Sequence, residues 1–115
     1  MAIHFVTANS DKLLKAFKNA IDQGHITTWS YDEAGDFTHT AKQWKGEAWL
    51  RPKSEDGKLA FYILPYDSKI ITSEIYGIYH GRFVESMIIH CTNLFSSGTA
   101  TSLPTAKDSL KGSKA

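Results

Sequence analysis

The sequence predicts an α+β fold, a two-layer sandwich in which two helices pack on one face of a mostly antiparallel sheet. Three observations lead to this prediction. An amphipathic helix lies at 11–22, a series of short β-rich runs follows at 25–64, and a long apolar helix comes last at 71–95. Consecutive strands joined by short turns pair antiparallel, and the helices beside them then cover one face of the sheet. The expected order of elements is β-α-β-β-β-β-α.

The first strand and the first helix have clear local signals. Residues 3–7 are apolar and partly β-branched, which favours a strand. Ser10 is placed to cap the helix that follows, and Asp11 suits the positive end of the helix dipole. Within 11–22 the apolar residues fall on one arc of the helix and the lysines on the other, and Gly24 supplies the stop. We therefore expect an amphipathic surface helix.

Four further strands are predicted between the two helices. Residues 25–31 and 37–40 carry β-branched and aromatic side chains on either side of a turn, which is typical of a hairpin. Residues 47–51 and 58–64 form a second hairpin, with Asp-Gly at Gly57 as its turn. The last of these strands is apolar on both faces. It therefore belongs at the centre of the sheet, covered on both sides or closed on one side by a partner.

The segment 71–95 predicts one long helix that begins at Thr72 or Ser73. Most of its apolar residues share one stripe, but Ile78 and Ile89 lie roughly opposite that stripe. A helix that is apolar on more than one face must be covered by more than one neighbour. That neighbour is either another part of this chain or a partner.

Two glycines, Gly77 and Gly81, interrupt the interior of this predicted helix. Each costs about 1 kcal/mol of helix stability relative to alanine. Something must offset this cost, and the close approach of another backbone is the physical reason that we expect for glycines four residues apart.

The composition changes after Phe95. The segment 96–115 contains two leucines and no other large apolar residue, among many serines, threonines, glycines and lysines. Such a segment buries too little apolar surface to offset the entropy of ordering it. We therefore expect a single α+β domain over 1–95, followed by a flexible polar C-terminal tail over 96–115. A chain of 115 residues fits one domain.

Charge and cysteine content exclude several classes of protein. The net charge of +1 creates no overall field that would attract nucleic acid or a membrane surface. The single cysteine, Cys91, cannot form an intramolecular disulfide, which favours a reducing compartment. No run approaches the roughly 20 apolar residues that span a bilayer, and the first residues lack the pattern of a secretory signal. We expect a cytoplasmic protein that has no membrane partner and no cofactor.

The sequence speaks against an enzyme, because it contains no diagnostic catalytic, phosphate-binding or metal-ligand motif. His80 is the one candidate for a catalytic residue. It lies on the main apolar stripe of the second helix, where burial keeps an imidazole neutral and fit to act as a general base. The ordinary alternative is a core histidine bonded to a backbone carbonyl or a tyrosine hydroxyl. No metal site is predicted.

A second function arises from the stretch 39–53, where cations and tryptophans alternate. Proteins that bind single-stranded nucleic acid stack its bases on aromatic side chains and contact its phosphates with cationic ones. The residues of this alternative are Lys42, Trp44, Lys45, Trp49 and Arg51. Its discriminating property is binding that weakens steeply as the salt concentration rises.

The apolar second face of the later helix favours a third class, a partner-binding or regulatory protein that acts through a protein–protein interface. The partner is a second copy or another protein. The expected contact residues are Trp44, Ile78, Arg82 and Ile89. This is our first hypothesis, with the nucleic-acid binder and a small enzyme centred on His80 as alternatives.

Overall fold

A computed structural model describes residues 3–67 and 69–103 of the chain. Within these residues six strands and two helices alternate in the order β-α-β-β-β-β-α-β. They are β1 (Ile3–Val6), α1 (Ser10–Asp22), β2 (Trp29–Tyr31), β3 (Phe37–His39), β4 (Ala48–Glu55), β5 (Lys58–Pro65), α2 (Ser73–His90) and β6 (Ser97–Ala100). The predicted α+β class is confirmed. Neither helix is long and apolar enough to cross a membrane.

All six strands belong to one sheet, in the order β2-β3-β4-β5-β1-β6, and every neighbouring pair is antiparallel. The longest pairing is the β4–β5 hairpin, which sets Leu50 against Ile63 and Trp49 against Leu64. Its turn contains Gly57 at φ +75°, a conformation that favours glycine. The predicted central position of the apolar strand β5 is thus observed, between β4 and β1.

The core lies between the sheet and the two helices, and Phe83 of α2 is at its centre. The Phe83 ring contacts five other rings at centroid distances from 4.6 to 6.3 Å. These rings come from the sheet and from α1, and they belong to Phe5, Phe17, Trp29, Phe37 and Phe61. Aromatic pairs in edge-to-face or tilted geometry add about 0.5–1.5 kcal/mol each beyond the burial of their area. The ring cluster therefore fixes the position of α2 on the sheet.

The helix ends differ from the prediction at two points. Asn9, rather than Ser10, caps α1, because its backbone is extended and its Oδ1 accepts a hydrogen bond from the Lys12 amide at 3.0 Å. Thr72 caps α2 as predicted, with Oγ1 accepting from the Ile75 amide at 3.1 Å. The second helix ends at His90, short of the predicted residue 95.

The structure also departs from the expected tail. Ser97–Ala100 form β6 at the edge of the sheet, paired along their whole length with β1. All four residues are exposed, so backbone hydrogen bonds to β1 hold this strand, and apolar burial does not. The described domain therefore extends past residue 95. The rest of the expected tail, from 104 onward, lies outside the described residues.

Candidate functional site

The helix α2 has two unlike faces. One packs on the sheet and carries the buried side chains Tyr76, Tyr79, His80, Phe83, Ser86 and Met87. The opposite face is turned to solvent, and on it Ile88 is 51% and Ile89 is 64% exposed. A surface helix normally presents charged and polar residues on that side. The exposed isoleucines are therefore the feature of α2 that the core leaves unused.

Five residues on the solvent side of α2 follow one another at alternating spacings of three and four. We call them the outer seam: Ile75, Ile78, Arg82, Glu85 and Ile89. This spacing is the one by which a helix presents a continuous strip to a second helix. Ile75 and Ile78 are half-buried, and the other three are exposed. The outer seam brings together three of the four predicted contact residues.

Glu85 was not among the contact residues that the sequence predicted. The alternating spacing from Ile78 through Arg82 to Ile89 is the signal that identifies it, since Glu85 is the member between the last two. Within the described residues, Arg82 and Glu85 form no ion pair, either with each other or with another side chain. The outer seam thus carries one positive and one negative charge, and neither is neutralised by a described residue.

The two glycines of α2 lie on the exposed side. A Cβ built on Gly77 or on Gly81 meets no atom within 4 Å. The backbone approach that the sequence led us to expect is therefore not made by the described chain. The glycines leave the helix backbone bare beside the outer seam, where another molecule can come close to it.

Trp44, the fourth predicted contact residue, lies in the loop between β3 and β4 and flanks α2. The Tyr79 hydroxyl donates a hydrogen bond to the Trp44 carbonyl and lies 3.0 Å from Thr38 Oγ1. Thr38 Oγ1 also accepts from the Gly46 amide at 3.1 Å, so the loop is tied to both α2 and β3. Burial raises the pKa of the Tyr79 hydroxyl, which keeps it protonated as a donor. The Trp44 side chain is half-buried against the core.

Arg82 reaches from the outer seam towards this loop. Its Nη1 lies 3.4 Å from Nε2 of the buried His39. His39 Nδ1 accepts a hydrogen bond from the Ala41 amide at 3.0 Å, so the neutral ring carries its proton on Nε2. Burial lowers the pKa of His39, and the charge of Arg82 lowers it further. His39 is therefore held neutral beneath the guanidinium.

His80 occupies the position of a core histidine. It is buried, its Nδ1 contacts the Tyr76 carbonyl, and its ring stacks on the Tyr76 ring at 3.8 Å between centroids. A groove of about 320 Å³ opens near the start of α2, but His80 is not among the residues that line it. The groove is lined by Ile71, Thr72, Ser73, Tyr76, Gly77, Ser102 and Leu103. The geometry gives no support to acid–base chemistry by His80.

The residues of the nucleic-acid alternative do not share one surface. Trp49 lies between Ala48 and Leu50, which are both fully buried in the core, so its side chain is on the opposite face of the sheet. Trp44 instead packs against the core from the loop. Arg51 is bound to a buried carboxylate, that of Asp36. Lys42 and Lys45 are exposed in the loop.

The described residues contain no group of three or more His, Cys, Asp or Glu side chains that could hold a metal ion. Cys91 is buried, and burial raises the pKa of its thiol, which keeps it in the less reactive protonated form. Comparison of the chain with protein-family models, with curated proteins and with solved structures found no match. The outer seam with its flanking loop is therefore the candidate site on physical grounds alone.

Proposed function

We propose that this protein acts by binding another protein through the solvent face of α2. The observation that carries the proposal is the exposure of Ile88 and Ile89 on a helix whose other face is already used by the core. Single exposed apolar residues are common on protein surfaces. Here Ile88, Ile89 and the bare backbone at Gly81 all lie on the solvent side of α2, and exposed apolar residues grouped in this way are a mark of an interaction surface.

Burial of the exposed isoleucines would contribute favourable free energy to recognition. Full burial of an isoleucine side chain is worth about 1.5–3 kcal/mol. Ile78 and Ile89 lie three turns apart on the same seam, so one partner surface can cover both. The hydrogen bond from Tyr79 to the Trp44 carbonyl holds the flanking loop against α2, so the loop has a fixed position beside the outer seam. A cytoplasmic setting belongs to the same proposal, since a lone cysteine is typical of proteins from reducing compartments.

Site-specific photo-crosslinking tests the proposal even though the identity of the partner is open. A benzophenone amino acid is placed at Ile89 in one variant and, as a control, at Lys15 on the exposed side of α1 in another. Both are irradiated in living cells. We expect a discrete covalent adduct from position 89, lost when Ile78→Glu is added, and no such adduct from position 15. We expect Ile78→Glu to fold, because the Ile78 side chain lies outside the core cluster, and circular dichroism checks this.

No adduct from position 89, or the same adducts from both positions, would overturn the proposal. Unfolding of Ile78→Glu would also count against it, since the outer seam would then be needed by the chain itself. Arg82→Glu, at an exposed position of the same outer seam, provides a second variant whose effect on the adduct does not depend on a half-buried side chain.

A further inference from the structure

We infer that the partner on the solvent face of α2 is a second copy of this chain, packed antiparallel along the outer seam about a two-fold axis. This inference rests on the proposed function and names its partner. The supporting observation is the order of the residues along the outer seam. Two copies of this seam are complementary when the helices run antiparallel, and not when they run parallel in register.

The complementarity follows from the residue numbers. A two-fold axis midway between positions 83 and 84 of two antiparallel helices sets Ile78 of one copy against Ile89 of the other. The same axis sets Arg82 of one copy against Glu85 of the other. Because a two-fold interface repeats each contact, two apolar contacts and two ion pairs form together. A single placement therefore covers every one of these four side chains.

A parallel pairing does not have this property. Two parallel copies in register would place Arg82 against Arg82 and Glu85 against Glu85, and like charges in contact are strongly disfavoured. In the described chain neither charge has an ion-pair partner to give up. The charges therefore select the antiparallel direction and the register, while the isoleucines contribute most of the affinity.

The dimensions of α2 indicate a weak dimer. Its 18 residues span about 27 Å, and a stable interface commonly buries about 1,200 Å² or more in total. A single helix pair provides only part of that area. The loop that carries Trp44 flanks the seam and adds to the buried surface. We therefore expect a monomer–dimer equilibrium with a dissociation constant in the micromolar range.

Charge reversal tests the pairing directly. Arg82→Glu and Glu85→Arg each place like charges in contact across the axis, so each should weaken self-association about tenfold or more. An equimolar mixture of the two single variants should associate again. In a dimer of unlike copies, both contacts between positions 82 and 85 join a glutamate of one copy to an arginine of the other. The double variant Arg82→Glu/Glu85→Arg should also recover dimerisation. Sedimentation velocity measures the association, and circular dichroism monitors the fold of each variant.

Single variants that associate like the wild type, or a mixture that does not recover, would overturn the antiparallel pairing. The crosslink at position 89 separates this failure from that of the proposed function. An adduct with the mass of one chain plus a different protein would overturn the second copy but leave partner binding intact. An adduct of twice the chain mass supports the inference, and no adduct overturns both.

Discussion

Arg51 holds the buried carboxylate of Asp36 through two parallel hydrogen bonds, from Nε to Oδ1 at 2.9 Å and from Nη2 to Oδ2 at 2.8 Å. Asp36 is fully buried directly before β3, and Arg51 lies in β4. The hydrogen bonds to Asp36 raise the pKa of Arg51. A guanidinium used in this way is occupied within the chain, so Arg51 is not free to contact a phosphate as the nucleic-acid alternative requires.

The first prediction concerns this pair. Arg51→Met keeps an unbranched apolar stem but deprives the buried carboxylate of its guanidinium. We expect the free energy of unfolding to fall by about 1–3 kcal/mol, since Arg51 is itself half exposed. Lys53→Met, an exposed position on the same strand, should stay within about 0.5 kcal/mol of the wild type. Urea unfolding at neutral pH measures both, and equal effects would refute the structural role of the pair.

The second prediction contrasts two glycines. A Cβ on Gly98 of β6 would meet two carbon atoms of the Phe5 ring at 2.9 Å, and that ring is fully buried in the aromatic cluster. We expect Gly98→Ala to destabilise the protein by about 1–3 kcal/mol, because the strand or the ring must shift. Gly81→Ala places its methyl group in open space within the helix, and should stabilise by about 0.5–1 kcal/mol. Thermal unfolding of both variants should show shifts of opposite sign; shifts in one direction would contradict this packing.

The third prediction concerns pH. Burial, and then the charge of Arg82, lower the pKa of folded His39 below its usual value near 6.5. As the pH falls through 6.5, the unfolded chain binds the His39 proton before the folded chain does, so His39 lowers the stability. His39→Asn retains an acceptor for the Ala41 amide without this titration. We expect the variant to lose less stability than the wild type between about pH 7.5 and 5.5.

Urea unfolding at several pH values provides the measurement for His39. Arg82→Gln removes only the second cause of the lowered pKa, so its pH dependence should fall between those of the wild type and His39→Asn. Parallel curves for all three proteins would show that the environment of His39 is not the one described.

The fourth prediction tests the bracing of the loop. Tyr79→Phe removes the hydrogen bond to the Trp44 carbonyl and should cost about 1–2 kcal/mol of stability. Tyr66→Phe, at an exposed tyrosine, should cost much less. Chemical denaturation gives the two energies, and hydrogen exchange at the Gly46 amide reports the loop locally. Unchanged exchange in Tyr79→Phe would mean that Tyr79 does not hold the loop.

The sequence was most informative where the regular repeat of a helix or strand sets which face each side chain occupies. The helical period of α2 placed His80 on the main apolar stripe and Ile89 opposite it, because the position of a residue in a helix sets the direction of its side chain. The apolar character of both faces of β5 likewise led to its central position in the sheet. The Asp56-Gly57 turn predicted the β4–β5 hairpin, because Asp-Gly favours the tight turn that joins two antiparallel strands.

Contacts between segments that are distant in the chain could not be predicted from the sequence pattern. The pairing of β6 with β1 joins small polar residues that have no strand signal of their own, so only the backbone partner makes them a strand. The contact of Arg51 with Asp36 depends on the register of β3 and β4, which short strands do not specify. The separation of Trp44 from Trp49 depends on the path of a loop, and no period describes that path.

Self-association through the solvent face of α2 is tested most directly by the mass of the wild type in sedimentation equilibrium. The concentration runs from about 1 µM to about 200 µM, with Ile89→Glu beside it at the same concentrations. We expect a mass that rises from 12.8 kDa towards twice that value in the wild type and stays near 12.8 kDa in Ile89→Glu. A wild-type mass of 12.8 kDa at every concentration, or identical curves for the two proteins, would contradict the dimer.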